Sequence, residues 1–180
     1  TLKPAFETLN LQMPIFAPRL NITLVTRQVQ ALLKETELTV AEALANQVDV
    51  KLADFIEQIR DEESKRFIET MQQQLQTQYE QFEAQLTGRY QLNGLLEKNM
   101  DYHKRQFAYL QAKIEQQTIE QHDVAIRQYN TVTAHLNPNK GYQERVYSPY
   151  VYLNEHGKTL IDELLALPMS ISNQHKVVYL

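Results

Sequence analysis

The stretch LLEKNMDYHKRQFAYLQAKI, residues 95–114, decides the fold. Its seam residues recur at alternating intervals of four and three, the period of a left-handed coiled coil. These residues are Leu96, Met100, His103, Phe107, Leu110 and Ile114. The same spacing continues through glutamines to Gln128. The stretch therefore predicts a long helix that packs along another helix, with His103 as a polar residue that sets the register.

A partner helix is predicted just upstream. From Lys51 to Leu86, apolar residues recur mostly every three or four positions, although polar residues around Glu63 interrupt the pattern. Gly88 and Gly94 bracket RYQLN and predict a turn between the two helices. We therefore expect a mainly α fold built on a long antiparallel helical hairpin, a coiled coil.

Apolar residues outside the seam predict a further partner. A second apolar stripe on the downstream helix would remain exposed to water in an isolated hairpin. It consists of Ile119, Ile126, Tyr129 and Val132. A second copy of the chain would cover such a stripe most simply. The pattern therefore favours a homodimer formed through the hairpin.

The segment before the hairpin predicts short elements. LNITLV (20–25) is rich enough in β-branched residues for a strand, and Thr26 is a candidate cap for a helix to about Glu35. Thr39 and Glu42 have the spacing of a capping box. Residues 1–50 contain three prolines before any clear helix and are interpreted as a connector leaving another part of a longer protein.

The segment after the hairpin predicts a small base, residues 137–180. Pro138 ends the long helix, Ser148 caps a short helix with proline at its first position, and Gly157 suits the end of that helix. KTLIDELLAL then predicts a helix that stops at Pro168. The terminal KVVYL predicts a strand, and we expect it to pair with LNITLV. The chain is thereby divided into 1–50, a hairpin over 51–136, and 137–180.

Composition restricts the function. The chain has 180 residues, no cysteine and a net charge of −4, so thiolate chemistry is excluded within it and nucleic acid is not an expected partner. Apolar runs are too short to span a membrane, and a curved membrane-binding module would need a basic face that this acidic chain lacks. The five histidines show no metal-ligand spacing, and glycine motifs for phosphate binding are absent. The chain alone does not look catalytic, and the lack of cysteine suits a cytoplasmic location.

Polar aromatic residues are concentrated in GYQERVYSPYVYLNEHG, residues 141–157. Arginine and tyrosine together can clamp a phosphate and stack on a base, which would make this segment a small-molecule site. The alternative is that these tyrosines pack the base of the hairpin against a neighbouring domain. Both interpretations stay open from the residues alone.

Three segments resemble one known family. PIFAPRLNITLV (14–25), GYQERVYSPYVYLNEHG (141–157) and HKVVYL (175–180) are similar to the C-terminal region of the cysteine-adding enzymes of bacillithiol biosynthesis, also called cysteine ligases. The resemblance runs through the whole chain in order. The hairpin is generic, whereas the QERVY block and the terminal strand are more specific. Ser148 departs from the family pattern, which has asparagine there.

The resemblance implies a function that spacing did not show. Family members join cysteine to glucosaminyl malate through an N-terminal Rossmann-type domain, and their helical C-terminal region associates two subunits. No catalytic residue carries over, because this chain lacks that domain. The resemblance implies that the junction with the catalytic domain, or a small-molecule pocket there, is lined by Arg19, Gln143, Glu144, Arg145, Tyr147, Pro149, Tyr152 and Asn154. As a hypothesis, an adenine nucleotide binds at this base of the hairpin.

A second class of function is a non-enzymatic coiled-coil adaptor or scaffold whose tail binds another protein. The reading frame upstream of Thr1 discriminates the two classes. A strand followed by a HIGH-like nucleotide-binding motif would support the ligase, and a start codon just before Thr1 would support the adaptor.

Overall fold

Helices account for most of the chain in the structure, a computed structural model that describes residues 3–12, 21–86, 88–90, 92–168 and 174–180. The helices are α1 (Lys3–Thr8), α2 (Arg27–Glu35), α3 (Val40–Leu44), α4 (Val48–Gln58), α5 (Glu62–Leu86), α6 (Asn93–Gln121), α7 (Asp123–Leu136), α8 (Gln143–Val146), α9 (Pro149–His156) and α10 (Thr159–Ala166). A 3-10 turn covers Pro138–Lys140, and the strands are β1 (Ile22–Val25) and β2 (Lys176–Tyr179). The prediction of a mainly α chain is confirmed.

The two strands pair as predicted. β1 and β2 are parallel, with Ile22 opposite Lys176 and Val25 opposite Tyr179. Parallel strands need a long connection, and almost the whole chain lies between these two. Because two strands alone are marginally stable, this sheet depends on the side chains and helices packed against it.

Local capping signals explain where the short helices begin. The Thr26 hydroxyl accepts a hydrogen bond from Val29 N at the start of α2. Thr39 and Glu42 form a reciprocal capping box at the start of α3, with Thr39 N donating to the Glu42 carboxylate at 2.8 Å. Each predicted cap is confirmed, because a hydroxyl at these positions satisfies amide groups that the first turn leaves free.

The base helices also begin and end at the predicted residues. Ser148 caps α9 ahead of Pro149, and Gly157 ends it with a φ of 77°, in the left-handed region that favours glycine. α7 ends at Leu136, directly before Asn137-Pro138, and α10 ends two residues before Pro168. A short helix near the start, α1, was not predicted.

The single helix predicted from Lys51 to Leu86 is wrong, because the structure contains two helices there. α4 ends at Gln58 and α5 begins at Glu62. Asp61 explains the second start: its carboxylate accepts a hydrogen bond from Ser64 N at 2.9 Å. Hydrogen bonds from the Ser64 side chain and backbone lower the pKa of Asp61.

The downstream helix is also interrupted where an unbroken helix was predicted. α6 ends at Gln121 and α7 begins after His122, whose φ and ψ are −106° and 15°. The His122 amide donates to Ile119 O at 3.1 Å, a tighter turn than an α-helix makes. Its ring packs edge-on against Phe55 with 6.0 Å between ring centroids, so a contact within the same unit favours the break.

The turn between α5 and α6 contains only one of the two predicted glycines. Gly88 has a φ of 82°, a conformation that side-chain-bearing residues rarely adopt. Gly94 instead lies inside α6. The amides of Arg89 and Tyr90 both donate to Leu86 O, which closes the end of α5.

The chain divides into two compact units. Unit one comprises residues 1–46 and 130–180, and unit two comprises residues 47–129. Within the described residues, the buried apolar side chains of unit one are Val25, Val29, Leu33, Leu38, Val40, Ala43, Val132, Leu136, Tyr152 and Leu160. Burying one valine or leucine side chain contributes about 1.5 to 3 kcal/mol, so this core supports the small sheet.

Unit two is a thin helical structure with little buried surface. Ile68 and Met100 are buried, and α5 and α6 contact each other, for example where the rings of Tyr79 and His103 lie 5.8 Å apart. Phe67, which the apolar pattern included, is 64% exposed, whereas its neighbour Ile68 faces inward. At this point of α5 the residue that faces inward is therefore Ile68, one position after the Phe67 that the apolar pattern predicts.

Candidate functional site

Gln143 fastens the QERVY block to the sheet. It is 2% exposed, and its side-chain oxygen accepts from Leu24 N at 2.7 Å. Its amide nitrogen donates to Leu24 O at 3.0 Å and to His135 O at 2.8 Å. The side chain thus occupies the outer edge of β1 as a neighbouring strand would, and it also holds the end of α7. Because these atoms are used internally, Gln143 has a structural role.

The two predicted tyrosines also turn inward. The Tyr147 hydroxyl donates to Ala134 O at 2.6 Å, which ties the residue after α8 to α7. Tyr152 is 7% exposed, and burial raises its pKa to about 12, with smaller contributions from Tyr147 and Glu155. A phenol with this pKa stays protonated at neutral pH. Both tyrosines therefore pack within unit one, and whether the cluster also meets a neighbouring domain stays a prediction.

Asn137 is a buried polar residue whose position before Pro138 predicts only the end of a helix. It is 5% exposed, and its side-chain nitrogen donates to Ala43 O at 3.2 Å and to Asn46 Oδ1 at 2.7 Å. The left-handed backbone of Asn46, with a φ of 60°, ends the α3 region. Asn137 therefore joins the end of α7 to the turn after α3. The only sequence signal was an asparagine directly before proline.

A second cluster lies at the start of the strands. The Thr23 hydroxyl and His175 Nε2 are 2.7 Å apart, and Thr23 is fully buried. Tyr142 covers the His175 ring with 5.0 Å between centroids and remains 47% exposed. This arrangement connects β1, the residue before β2 and the residue before α8. Sequence reasoning missed it, since the residues are 152 positions apart along the chain.

The remaining predicted site residues differ in exposure: the Glu144 side chain is 19% exposed, and Pro149 is exposed. Arg145 has a side chain that is 51% exposed, with Nε 3.8 Å from the Glu144 carboxylate. Asn154 is exposed on α9. Arg19 lies outside the described residues. Among the described members of the predicted set, the exposed ones are therefore Arg145, Pro149 and Asn154.

The predicted seam residues all lie on α6, with different exposure. Met100 is 8% exposed, whereas Leu110 is 49% exposed. The others are partly buried: Leu96, His103, Phe107 and Ile114. Ile114 also lines an apolar cavity of about 80 Å³ inside unit two, together with Ile56, Ile59, Ile68 and Ile119. This cavity lies beside the break between α4 and α5.

The described part of the chain contains neither a metal-binding cluster nor a helix suited to a membrane. No group of three or more His, Asp or Glu residues in it could hold a metal ion. No helix in the same part is long and apolar enough to cross a membrane.

Long helices that contact each other, joined to a small base, define a coiled-coil domain. A sequence model of the family described as "Bacillithiol biosynthesis BshC, C-terminal coiled-coil domain" matches residues 22–180. The chain belongs to this family.

Curated relatives agree with the family match. The chain is 44% identical over its whole length to "Putative cysteine ligase BshC" of Lysinibacillus sphaericus, and covers 34% of that protein. It is 34% identical to the protein of the same name from Anoxybacillus flavithermus, with 99% of this chain and 34% of the relative covered. The Staphylococcus epidermidis protein is 32% identical, with 98% and 33% covered. The chain thus spans about one third of the length of these relatives.

Proposed function

We propose that this chain is the C-terminal part of a ligase that adds cysteine to glucosaminyl malate in bacillithiol biosynthesis, and that it organises the enzyme while another part performs the reaction. The match of residues 22–180 to the C-terminal coiled-coil domain carries the proposal. Relatives of three times the length leave ample room for a separate catalytic domain. Residues 1–50 would connect that domain to a hairpin over 51–136, and residues 137–180 would form the base. The location would be cytoplasmic.

The hairpin is proposed to be antiparallel. Tyr79 contacts His103, whereas the earlier residue Phe55 contacts the later residue His122. Residues earlier in the first segment therefore contact residues later in the second segment, as in antiparallel helices. The short connection from Leu86 to Asn93 is consistent with this direction.

Two copies are proposed to associate through unit two. Large apolar side chains remain exposed on both of its long helices: Phe67 (64%), Phe82 (50%), Tyr102 (61%), Tyr109 (58%) and Leu110 (49%). A thin pair of helices cannot bury these residues internally. A second copy would remove them from water, and hydrophobic burial yields about 25 cal/mol per Å² of apolar surface.

The base is proposed to contact the catalytic domain. Three of the predicted residues make their hydrogen bonds or packing contacts within unit one: Gln143, Tyr147 and Tyr152. They would support the contact surface without touching the catalytic domain. Arg145 and Asn154 project outward and would touch the catalytic domain or a bound adenine nucleotide. Calorimetry of adenine nucleotides with the full-length protein and its Arg145→Ala variant tests the nucleotide: equal binding to both would remove Arg145 from the site.

Sedimentation and activity measurements test the function as a whole. We expect the 180-residue chain to sediment as a dimer and a Phe67→Glu/Phe82→Glu variant to shift toward monomer, because buried charges oppose association. An Arg89→Glu change in the turn region serves as a charge control.

Full-length protein should consume cysteine and glucosaminyl malate together. A strictly monomeric chain would contradict the dimer, and a full-length protein inactive on both substrates would contradict the ligase.

A further inference from the structure

Unit one contains buried polar atoms without hydrogen-bond partners. They are Asn21 Oδ1, both carboxylate oxygens of Glu144, His156 Nε2 and His175 Nδ1. Within the ranges that the structure describes, unit two contains none of this kind. Folded proteins pair almost all buried polar atoms, so an accumulation in one unit points to a surface that another molecule completes.

Glu144 is the residue of this set for which a missing partner costs most, because both of its carboxylate oxygens are buried and unpaired. Among the residues that the structure describes, the cationic atom nearest to its carboxylate is Arg145 Nε at 3.8 Å, beyond hydrogen-bond distance. Arg145 itself is half exposed and faces water. About a fifth of the Glu144 side chain is still accessible, so the carboxylate lies directly beneath the surface. A buried charge in this position needs a cationic partner.

Two further unpaired atoms lie around the same small sheet. Lys176 N donates to Asn21 O at 2.8 Å, so Asn21 and His175 stand together at the start of the paired strands. Glu144 belongs to α8, which packs against β1. Three of the four residues with unpaired atoms thus lie in or directly beside β1, β2 and α8, elements that contact one another.

The chemistry of these atoms specifies the partner. A carboxylate and an amide oxygen only accept hydrogen bonds, and His175 Nδ1 also accepts when Nε2–H donates to Thr23 Oγ1. A guanidinium offers five N–H donors in one plane and fits a carboxylate with two parallel bonds. An arginine side chain therefore matches the site better than a lysine, which is a compact point charge.

We propose that Glu144 receives an arginine side chain from the part of the full-length protein that lies outside this chain. Asn21 and His175 are covered by the same surface. This assignment rests on the proposed function, because it requires a further domain. It identifies Glu144 as the residue that fixes the position of the base against that domain.

The test compares Glu144→Gln in two settings, the 180-residue chain and the full-length protein. Glu163→Gln on the exposed face of α10 is the matched control. In the chain alone, we expect Glu144→Gln to leave the melting temperature unchanged or raise it, because an uncompensated charge is removed. In the full-length protein, we expect amide hydrogen exchange in α8 to accelerate roughly tenfold or more, because the buried arginine loses its partner. The control should change neither measurement.

Two results would overturn the inference. Equal destabilisation in both settings would show that the cationic partner belongs to this chain, and unchanged exchange in the full-length protein would show that Glu144 has no such partner. The exchange measurement decides alone if the isolated variant fails to fold. Ligase activity is measured separately, so a protein without that activity could still show the expected exchange.

Discussion

Replacing Gln143 by leucine should strongly destabilise unit one. Leucine fills a similar volume but makes none of the three hydrogen bonds that connect Gln143 to Leu24 and His135. The change leaves Leu24 N, Leu24 O and His135 O without their partner. The outer edge of β1 then loses the group that takes the place of a third strand.

The magnitude follows from the number of bonds. A buried hydrogen bond contributes about 1 kcal/mol net, so three bonds correspond to about 3 kcal/mol. That value is a change of roughly 100-fold in the equilibrium between folded and unfolded unit one. The cost would rise further if the freed backbone groups stay buried away from water.

Urea unfolding followed by circular dichroism measures the loss, and amide exchange at Leu24 locates it. Gln28→Leu, at an exposed position of α2 in the same unit, controls for the added apolar side chain. We expect Gln143→Leu to lower the unfolding free energy by about 3 kcal/mol, and Gln28→Leu to change it little. If both variants unfold alike and the Leu24 amide keeps its protection, the assignment of Gln143 as the residue that holds the sheet is wrong.

Three other predictions test features of both units. The Tyr152 pKa is raised to about 12, so its contribution to stability is present below about pH 10 and lost as the pH rises toward 12. In an absorbance titration of the phenolates, the Tyr152→Phe variant should lack the tyrosine that ionises at the highest pH. The Asp61 pKa is lowered, so its contribution is present above its ordinary value of 3.8 and lost as the pH falls through the folded pKa. Asp61→Asn should therefore flatten the acid limb of a urea-midpoint profile against pH. Thr39→Ala removes the capping box of α3 and should cost about 1 kcal/mol in urea unfolding.

Local signals in the sequence were sufficient to predict where the short helices begin. Thr26, Thr39 and Ser148 each accept from an amide two or three residues away, so their effect can be inferred from neighbouring letters alone. The strand pairing was also predictable, because only two short segments had strand character. Both inferences depend on information that lies within a few residues or on simple elimination.

Tertiary contacts decided what the sequence did not reveal. The break at His122 involves no proline or glycine and accompanies a ring contact with Phe55. Adjacent apolar residues such as Phe67 and Ile68 satisfy a helical pattern equally well, so periodicity could not tell which one turns inward. The internal role of Gln143 depends on Leu24, 119 positions away. By contrast, Asp61 followed three residues later by Ser64 is a helix-start signal that neighbouring letters contain.

The parallel pairing of β1 with β2 has a consequence for how the protein is made. Ribosomes release the chain from its first residue onward, so β1 emerges long before Lys176–Tyr179 exists. Unit two can acquire its helices during synthesis, whereas the sheet of unit one cannot form until Lys176–Tyr179 has left the exit tunnel. A chain cut after His175 would lack β2 and would leave β1 without its partner strand, exposed to proteases.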